Sequence, residues 1–306
     1  MNLPASLSGM VEKFAGEVCG QKVVLRKLEP VGGGCINQAA RLFFTSDFSA
    51  FLKWNTSAPP TMFEREAEGL MALAATKTLR VPAVIGWADV SEVDSIPDFL
   101  LLEDISGSER EPNNRVPDYD GDLGKGLAAM HALPAPYFGF PHNNFIGSTP
   151  QANQPMDNWA DFFRERRLLP MIQKLRETGK ISADRSQWAT RCVETATGHL
   201  REVTEVPSLV HGDLWAGNVM QDTAGRPALI DPACYYGHRE VDLAMTELFG
   251  GFTARFRAAY EASYPLKDGY PLRRDIYNLY HLLNHALIFG GGYWSQAQLI
   301  LKRCGD

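Results

Sequence analysis

Three polar residues of this 306-residue chain have types and spacing suited to handling a phosphoryl group. Asp213 stands five residues before Asn218 in His211-Gly212-Asp213-Leu214-Trp215-Ala216-Gly217-Asn218. Asp231 follows thirteen residues later, at the end of the apolar run Ala228-Leu229-Ile230. Phosphoryl transfer asks little covalent work of a protein. It needs one carboxylate to orient the attacking hydroxyl and accept its proton, and oxygen ligands to hold Mg²⁺ against nucleotide phosphates. A carboxylate, an amide oxygen and a second carboxylate supply that set. The alternative is a polar turn between two strands, but H-G-D-x-x-x-x-N…D is a specific combination.

The spacing resembles the D-x-x-x-x-N…D of kinase catalytic loops, and the upstream elements agree in order. Residues 22–31 read as a strand, 39–45 as a second and 50–55 as a third, with Gly32-Gly33-Gly34 a turn between the first two. A flexible backbone there could close over phosphates, although a glycine triplet alone is more often just a turn. Lys53 lies in the third strand among apolar neighbours, as a phosphate-holding lysine or a solvated edge lysine. Thr61 reads as the N-cap of a helix over 61–75 that carries Glu64, Glu66 and Glu68. One of these acids is expected to pair with Lys53, Glu66 being the choice, and the other two to face solvent. A buried strand over 98–103 leads into Glu103-Asp104-Ile105, a candidate hinge whose backbone would read adenine.

The first ~105 residues thus form a small β-rich lobe with one main helix. The rest changes character, with helices expected over 118–133, 157–178 and 182–203 and from Arg239 onward, short strands near 207–210, 218–221 and 228–231, and a long irregular loop over 134–155. The expected organisation is an α+β, two-lobed fold with a nucleotide-binding lobe over 1–104 and a catalytic, acceptor-binding lobe over 105–306. Composition fits two domains at roughly 150 residues each: 45% of residues are apolar and 22% charged, and the formal net charge is −6. That charge argues against a nucleic-acid or anionic-membrane binder.

On these residues the chain resembles the fructosamine kinases (fructosamine-3-kinase and ketosamine kinase family), within the aminoglycoside-phosphotransferase and protein-kinase-like group. The resemblance covers nearly the whole chain. It rests on GGGCIN at 32–37, FLKWN at 51–55, MFEREAEGL at 62–70, FGF…NNFIGSTPQ at 138–151, HGDLWAGN at 211–218, DPACYYGHREVDLAM at 231–245 and LLNHALIFGGGY at 282–293. It implies a protein-kinase-like fold, ATP in the cleft, Mg²⁺, and transfer to the 3-hydroxyl of a ketosamine, that is, deglycation repair. Asp213 would be the catalytic base, and Asn218 and Asp231 the metal ligands. Gly32, Gly33, Gly34, Asn37, Lys53, Glu66, Glu103 and Ile105 would bind nucleotide. Trp215 would wall the sugar, or pack in the core. Tyr235 and Tyr236 would line the acceptor site, with core packing equally open. No activation segment fits between Asp231 and Gly237-His238-Arg239-Glu240-Val241-Asp242, which favours a small or protruding acceptor.

Arg239 and Asp242 read better as a buried ion network bracing the loop than as substrate contacts. His281 and His285 stand four apart on a helix, without a third metal ligand, and read as core or pocket-lining residues. The five cysteines, Cys19, Cys35, Cys192, Cys234 and Cys304, are scattered without C-x-x-C, which points to a reducing cytoplasm. Cys35 directly follows the glycines and is the candidate redox residue, so the protein is expected as a monomer or a redox-sensitive dimer. Expected partners are a small ketosamine or a glycated lysine on proteins, with no nucleic acid and no membrane. The rivals are a kinase for another small hydroxyl acceptor (aminoglycoside, choline-like or sugar) and a nucleotide-binding pseudokinase. An intact lysine, base, asparagine and metal aspartate argue against the second.

Overall fold

A computed structural model describes residues 3–32, 37–89, 96–106 and 115–305. The fold is α+β, in two compact units: residues 1–119 with 219–231, and residues 120–218 with 232–306.

In the first unit, β1 (Leu25–Pro30), β2 (Gln38–Phe44), β3 (Ser49–Asn55), β4 (Val84–Ala88) and β5 (Asp98–Glu103) form an antiparallel sheet of order β1-β2-β3-β5-β4. Period-two alternation along β3 sends Ala50, Leu52 and Trp54 into the core and Lys53 to the opposite face. The core is completed by α1 (Ala5–Cys19), through Leu7, Val11 and Ala15. Sequence reading passed over this helix, although the four-residue spacing of those three residues is a helical stripe.

The helix α2 (Met62–Ala75) forms as expected, but Thr61 is not its side-chain cap. Thr61 sits at φ 67° and makes no capping hydrogen bond; Asp89 Oδ2 accepts from Glu64 N–H at 3.2 Å instead. A hairpin, β9 (Val219–Gln221) with β10 (Pro227–Leu229), belongs to the same unit. Leu229 N–H donates to Arg80 O (2.9 Å) and Tyr119 Oη to Met220 O (3.0 Å), so the hairpin that delivers Asp231 is fixed at both strands.

The second unit holds α3 (Tyr119–His131), α4 (Trp159–Phe163), α5 (Leu169–Glu177), α6 (Ala183–Gly198), α7 (Glu240–Leu248), α8 (Ala254–Ser263), α9 (Tyr270–Phe289) and α10 (Tyr293–Gly305). The single helix expected over 157–178 is α4 and α5 joined by a π-helical turn, Arg164–Leu168, which turns Arg167 fully inward. The loop expected over 134–155 contains a hairpin, β6 (Asn144–Ile146) with β7 (Thr149–Gln151). Asn144 Nδ2 donates to Cys234 O (2.7 Å) and Gln151 Nε2 to Ala233 O (3.1 Å), so this hairpin pins the segment that follows Asp231. Among the described residues no helix is long and apolar enough to cross a membrane.

Candidate active site

The catalytic-loop candidates lie in the second unit. There β8 (Ser208–Val210) pairs with β11 (Tyr235–Gly237), and the chain leaves β8 through Gly212 at φ +80°. A Cβ on Gly212 would stand 2.2 Å from Ala233 O, so only glycine fits the bend. Asp242, in the first turn of α7, accepts His211 N–H at 2.7 Å and Gly212 N–H at 2.9 Å. Its carboxylate also meets His131 Nε2 at 3.1 Å, and His131 Nδ1 meets Tyr260 Oη at 2.9 Å. Burial by itself would raise the Asp242 pKa; the hydrogen bonds from His131 and the loop amides outweigh it and hold the carboxyl below its ordinary value. At the far end of the loop, Asn218 Nδ2 donates to Asp213 O (2.8 Å) and Asp213 Oδ2 (3.2 Å). Asp213 Oδ1 stands 4.0 Å from His281 Nδ1. Trp215 is 42% exposed and lies over Gly217, where a Cβ would stand 2.2 Å from the indole. Core packing is thus excluded for this ring.

The phosphate-holding candidates lie in the first unit. Lys53 Nζ is 2.6 Å from Glu66 Oε1 and 2.5 Å from Asp231 Oδ1. Arg65 takes the other two acids of α2, Glu64 at 2.8 Å and Glu68 at 2.5 Å, so Glu66 is the one turned to the lysine. Burial pushes the Lys53 pKa down, but the two carboxylates overcome it and raise it above its ordinary value. Asp231 takes φ 55°, a left-handed conformation that costs a non-glycine residue about 1–2 kcal/mol. Strain of that kind collects where a side chain must be aimed. The Asp231 side chain is nearly half exposed, so its carboxylate faces both Lys53 and solvent.

The hinge and glycine candidates are less fully placed. Asn37 Oδ1 accepts from Asn55 Nδ2 at 3.1 Å, tying the start of β2 to the end of β3. Glu103 N–H goes to Ala83 O (2.8 Å), while its carboxylate accepts Ala83 N–H (3.1 Å) and pairs with Arg80. Adenine recognition by this segment therefore does not use the Glu103 N–H. Ile105 is buried and Gly32 exposed. Gly33, Gly34 and Cys35 lie outside the described residues.

The fructosamine kinase family model matches residues 8–305. The chain belongs to the fructosamine kinase family. It is 40% identical to a probable ketoamine kinase of Synechocystis sp., over 99% of this chain and 98% of that one. It is 38% identical to the chloroplastic protein-ribulosamine 3-kinase of Arabidopsis thaliana, over 92% and 83%. Among solved structures, a Haemophilus somnus protein provisionally named a fructosamine-3-kinase superposes with a TM-score of 0.84, at 28% identity over 97% of each chain. The fold extends to aminoglycoside phosphotransferase APH(4)-Ia, with a TM-score of 0.61 at 17% identity over 97% and 99%.

In this fructosamine kinase the two neighbouring tyrosines part. Tyr235 is 2% exposed, its ring under the Arg167 guanidinium at 4.0 Å and stacked on Phe162 at 5.9 Å. Burial first of all pushes its hydroxyl up to about 12. Strand alternation sends Tyr235 inward, which corrects its assignment to an acceptor surface. Tyr236 is half-buried, edge-on to Tyr137 and Phe140. Asp242 braces the loop by its amides, as expected, whereas Arg239 gives its guanidinium to Glu205, Tyr264 O and Pro265 O. Among the described residues no group of three His, Cys, Asp or Glu, His281 and His285 included, could hold a metal ion.

Sequence reasoning missed His131, Arg167 and the nearness of His281 to Asp213. Arg167 is buried without a carboxylate partner among the described residues, held by Ala152 O (2.6 Å) and Asn153 Oδ1 (2.8 Å). Four consecutive charged residues, Arg164-Glu165-Arg166-Arg167, gave no sign of which would turn inward.

Proposed function

We propose that this chain is an ATP- and Mg²⁺-dependent ketosamine kinase that phosphorylates the 3-hydroxyl of fructosamine or ribulosamine adducts. The observation that carries it is Lys53 held between Glu66 and Asp231, on an exposed and strained aspartate. A buried lysine with two carboxylates is prepared for a polyanion that takes over one of its contacts, and a pseudokinase has no use for the strain at Asp231. The oxygen donors Asn218 and Asp231 suit Mg²⁺, a hard ion that keeps water and phosphate oxygens in the rest of its shell and needs no protein cage. Asn218 spends its amide nitrogen on Asp213, so its oxygen is the donor for this role. Bound there, the ion would neutralise phosphate charge during transfer.

The protein's own residues do the rest. Asp213, oriented by Asn218, takes the proton from the acceptor hydroxyl. The acceptor oxygen bonds to the γ-phosphorus, the bond to the β-phosphate oxygen breaks, and ADP leaves with that electron pair. Trp215 presents an indole face to the sugar C–H surface or to a cationic amine. Ketosamines free or on protein lysines fit an exposed indole equally. The scattered cysteines, with no C-x-x-C, support a cytoplasmic compartment for this activity. Cys35 keeps its redox assignment within this reading; Cys234 does not replace it, being buried with its thiol pushed well up by desolvation.

The test is ADP release and product mass with a panel of fructosamines, ribulosamines, aminoglycosides and sugar alcohols. Turnover with ketosamines and little with the others is expected. Turnover confined to aminoglycosides or sugar alcohols overturns the reading.

A further inference from the structure

The least satisfied polar atom beside the proposed base is His281 Nδ1. It is buried and has no hydrogen-bond partner among the described residues. Leaving a buried donor or acceptor unpaired is costly, so a fold that keeps one there is expected to meet a partner. The atom lies 4.0 Å from Asp213 Oδ1, too far for a direct bond. It is the right distance for one shared oxygen: two hydrogen bonds of about 2.8 Å to points that far apart meet at about 90°.

We propose that His281 is an acceptor-positioning residue, its Nδ1–H donating to the same acceptor hydroxyl that gives its proton to Asp213. This rests on the reading of Asp213 as the base. The attacking oxygen then has one lone pair tied to His281 and its proton aimed at Asp213, which leaves the second lone pair to face the γ-phosphorus. As the oxygen–phosphorus bond forms and ADP departs, the proton passes to Asp213 and His281 keeps its own.

The surroundings fit a fixed neutral donor rather than a second base. Burial first, then the neighbouring His285 and Arg167, push the His281 pKa down to about 3 against the pull of Asp242. An imidazolium is thereby disfavoured, and Asp213 is left as the proton acceptor. The ring sits well inside the 20-residue helix α9. Tyr280 anchors that helix with Oη on Gln151 Oε1 at 2.9 Å, and His285 Nδ1–H donates to His281 O at 2.8 Å. A donor on a packed helix holds its geometry better than one on a loop.

The experiment compares His281→Asn, His281→Gln and His281→Leu with wild type in the full-length chain. An asparagine amide nitrogen falls near the position of Nδ1; a glutamine moves the donor one atom further, towards the position of Nε2. Readouts are kcat/KM for a fructosamine, KM for ATP, and Tm. His281→Leu is expected to lower ketosamine kcat/KM about tenfold to a hundredfold, the worth of one hydrogen bond, with ATP KM within about twofold. His281→Asn should recover most of the loss and His281→Gln should not. Should His281→Leu fail to fold, the Asn and Gln pair decides. Equal rates for Asn and Gln, or an ATP KM raised as much as the ketosamine kcat/KM is lowered, overturn the proposal. Asp213→Asn separates it from the reading beneath: an active Asp213→Asn removes the base, whereas an inactive Asp213→Asn beside wild-type-like His281 variants removes only His281.

Discussion

The two units hold their functional groups by opposite means. In the first, Lys53, Glu66 and Asp231 are charges fixed by charges, with contacts of 2.5–2.6 Å around one ammonium. In the second, Asp213 is fixed by the loop it sits on, and the loop by Asp242, whose carboxylate is satisfied by backbone amides and by His131, a histidine that burial keeps neutral. The first arrangement suits a polyanion: a phosphate can take over a contact to Lys53 while the other carboxylate remains. The second suits a proton transfer, which depends on angles at one oxygen and gains nothing from a mobile counter-ion.

Breaking one member on each side should give the largest and most different effects. Asp231→Ala should abolish Mg²⁺-dependent turnover, and Asn218→Ala should weaken it and raise the Mg²⁺ requirement. Asp213→Asn should cut kcat about 10²–10⁴-fold with ATP affinity near normal, the usual worth of a positioned base. Mg²⁺ titrations and ATP binding on the same preparations separate them. An Asp231→Ala titration that overlays wild type moves the metal role elsewhere, and Asp213→Asn within a few-fold of wild type removes the base.

A smaller effect should come from Trp215, which belongs to the loop but contributes a surface rather than an angle. Trp215→Ala should raise the ketosamine KM several-fold, up to about tenfold for an aromatic contact worth 0.5–1.5 kcal/mol, and leave the ATP KM alone. Its 42% exposure predicts little change in Tm. Equal rises in both KM values would show that the indole supports the loop instead.

How legible each region was follows from the same contrast. The strands 39–45, 50–55 and 98–103 and the helix α2 were readable because alternation and helical spacing are local signals. Lys53 and Glu66 could be paired from order along the chain, and Arg65 explains why Glu64 and Glu68 were rightly set aside. In the second unit the helices α3 and α6 and the strand β8 were readable too, but of the site only the loop itself was. Asp242 was suspected from the Arg-Glu-x-Asp run, but its partner His131 lies 111 residues earlier. Tyr235 and Tyr236 look alike in sequence, and the pleat that separates them depends on which strand β11 pairs with. His281 reads as core or pocket lining because its pairing with His285 lacks a third metal ligand; its relation to Asp213 is a tertiary fact with no local mark. α1 carries a legible stripe, Leu7, Val11 and Ala15 at four-residue spacing.

The last effect expected leaves turnover aside and falls on stability, and it places the two regions on opposite sides of neutrality. Lys53 has a raised pKa, so its contribution is complete below its unfolded value of about 10.4 and is lost only as pH rises through the folded value. His281 is the reverse case. Its folded pKa is about 3 against 6.5 unfolded, so between those values the unfolded chain binds a proton that the folded chain refuses. Stability therefore rises with pH across that interval, is complete above about pH 6.5, and falls on acidification by at most about 1.4 kcal/mol per pH unit for this one group. His131 and His285, also lowered by burial, add to the same slope. Asp242, held below its ordinary value, contributes stability lost only below about pH 4, so it does not enter the upper part of the interval. Urea unfolding of wild type and His281→Asn between pH 4.5 and 7 isolates the term. The variant should show a shallower loss, by close to one proton. Parallel slopes would mean that His281 is already protonated in the folded protein, and the ring facing Asp213 would then be a cation rather than a neutral donor.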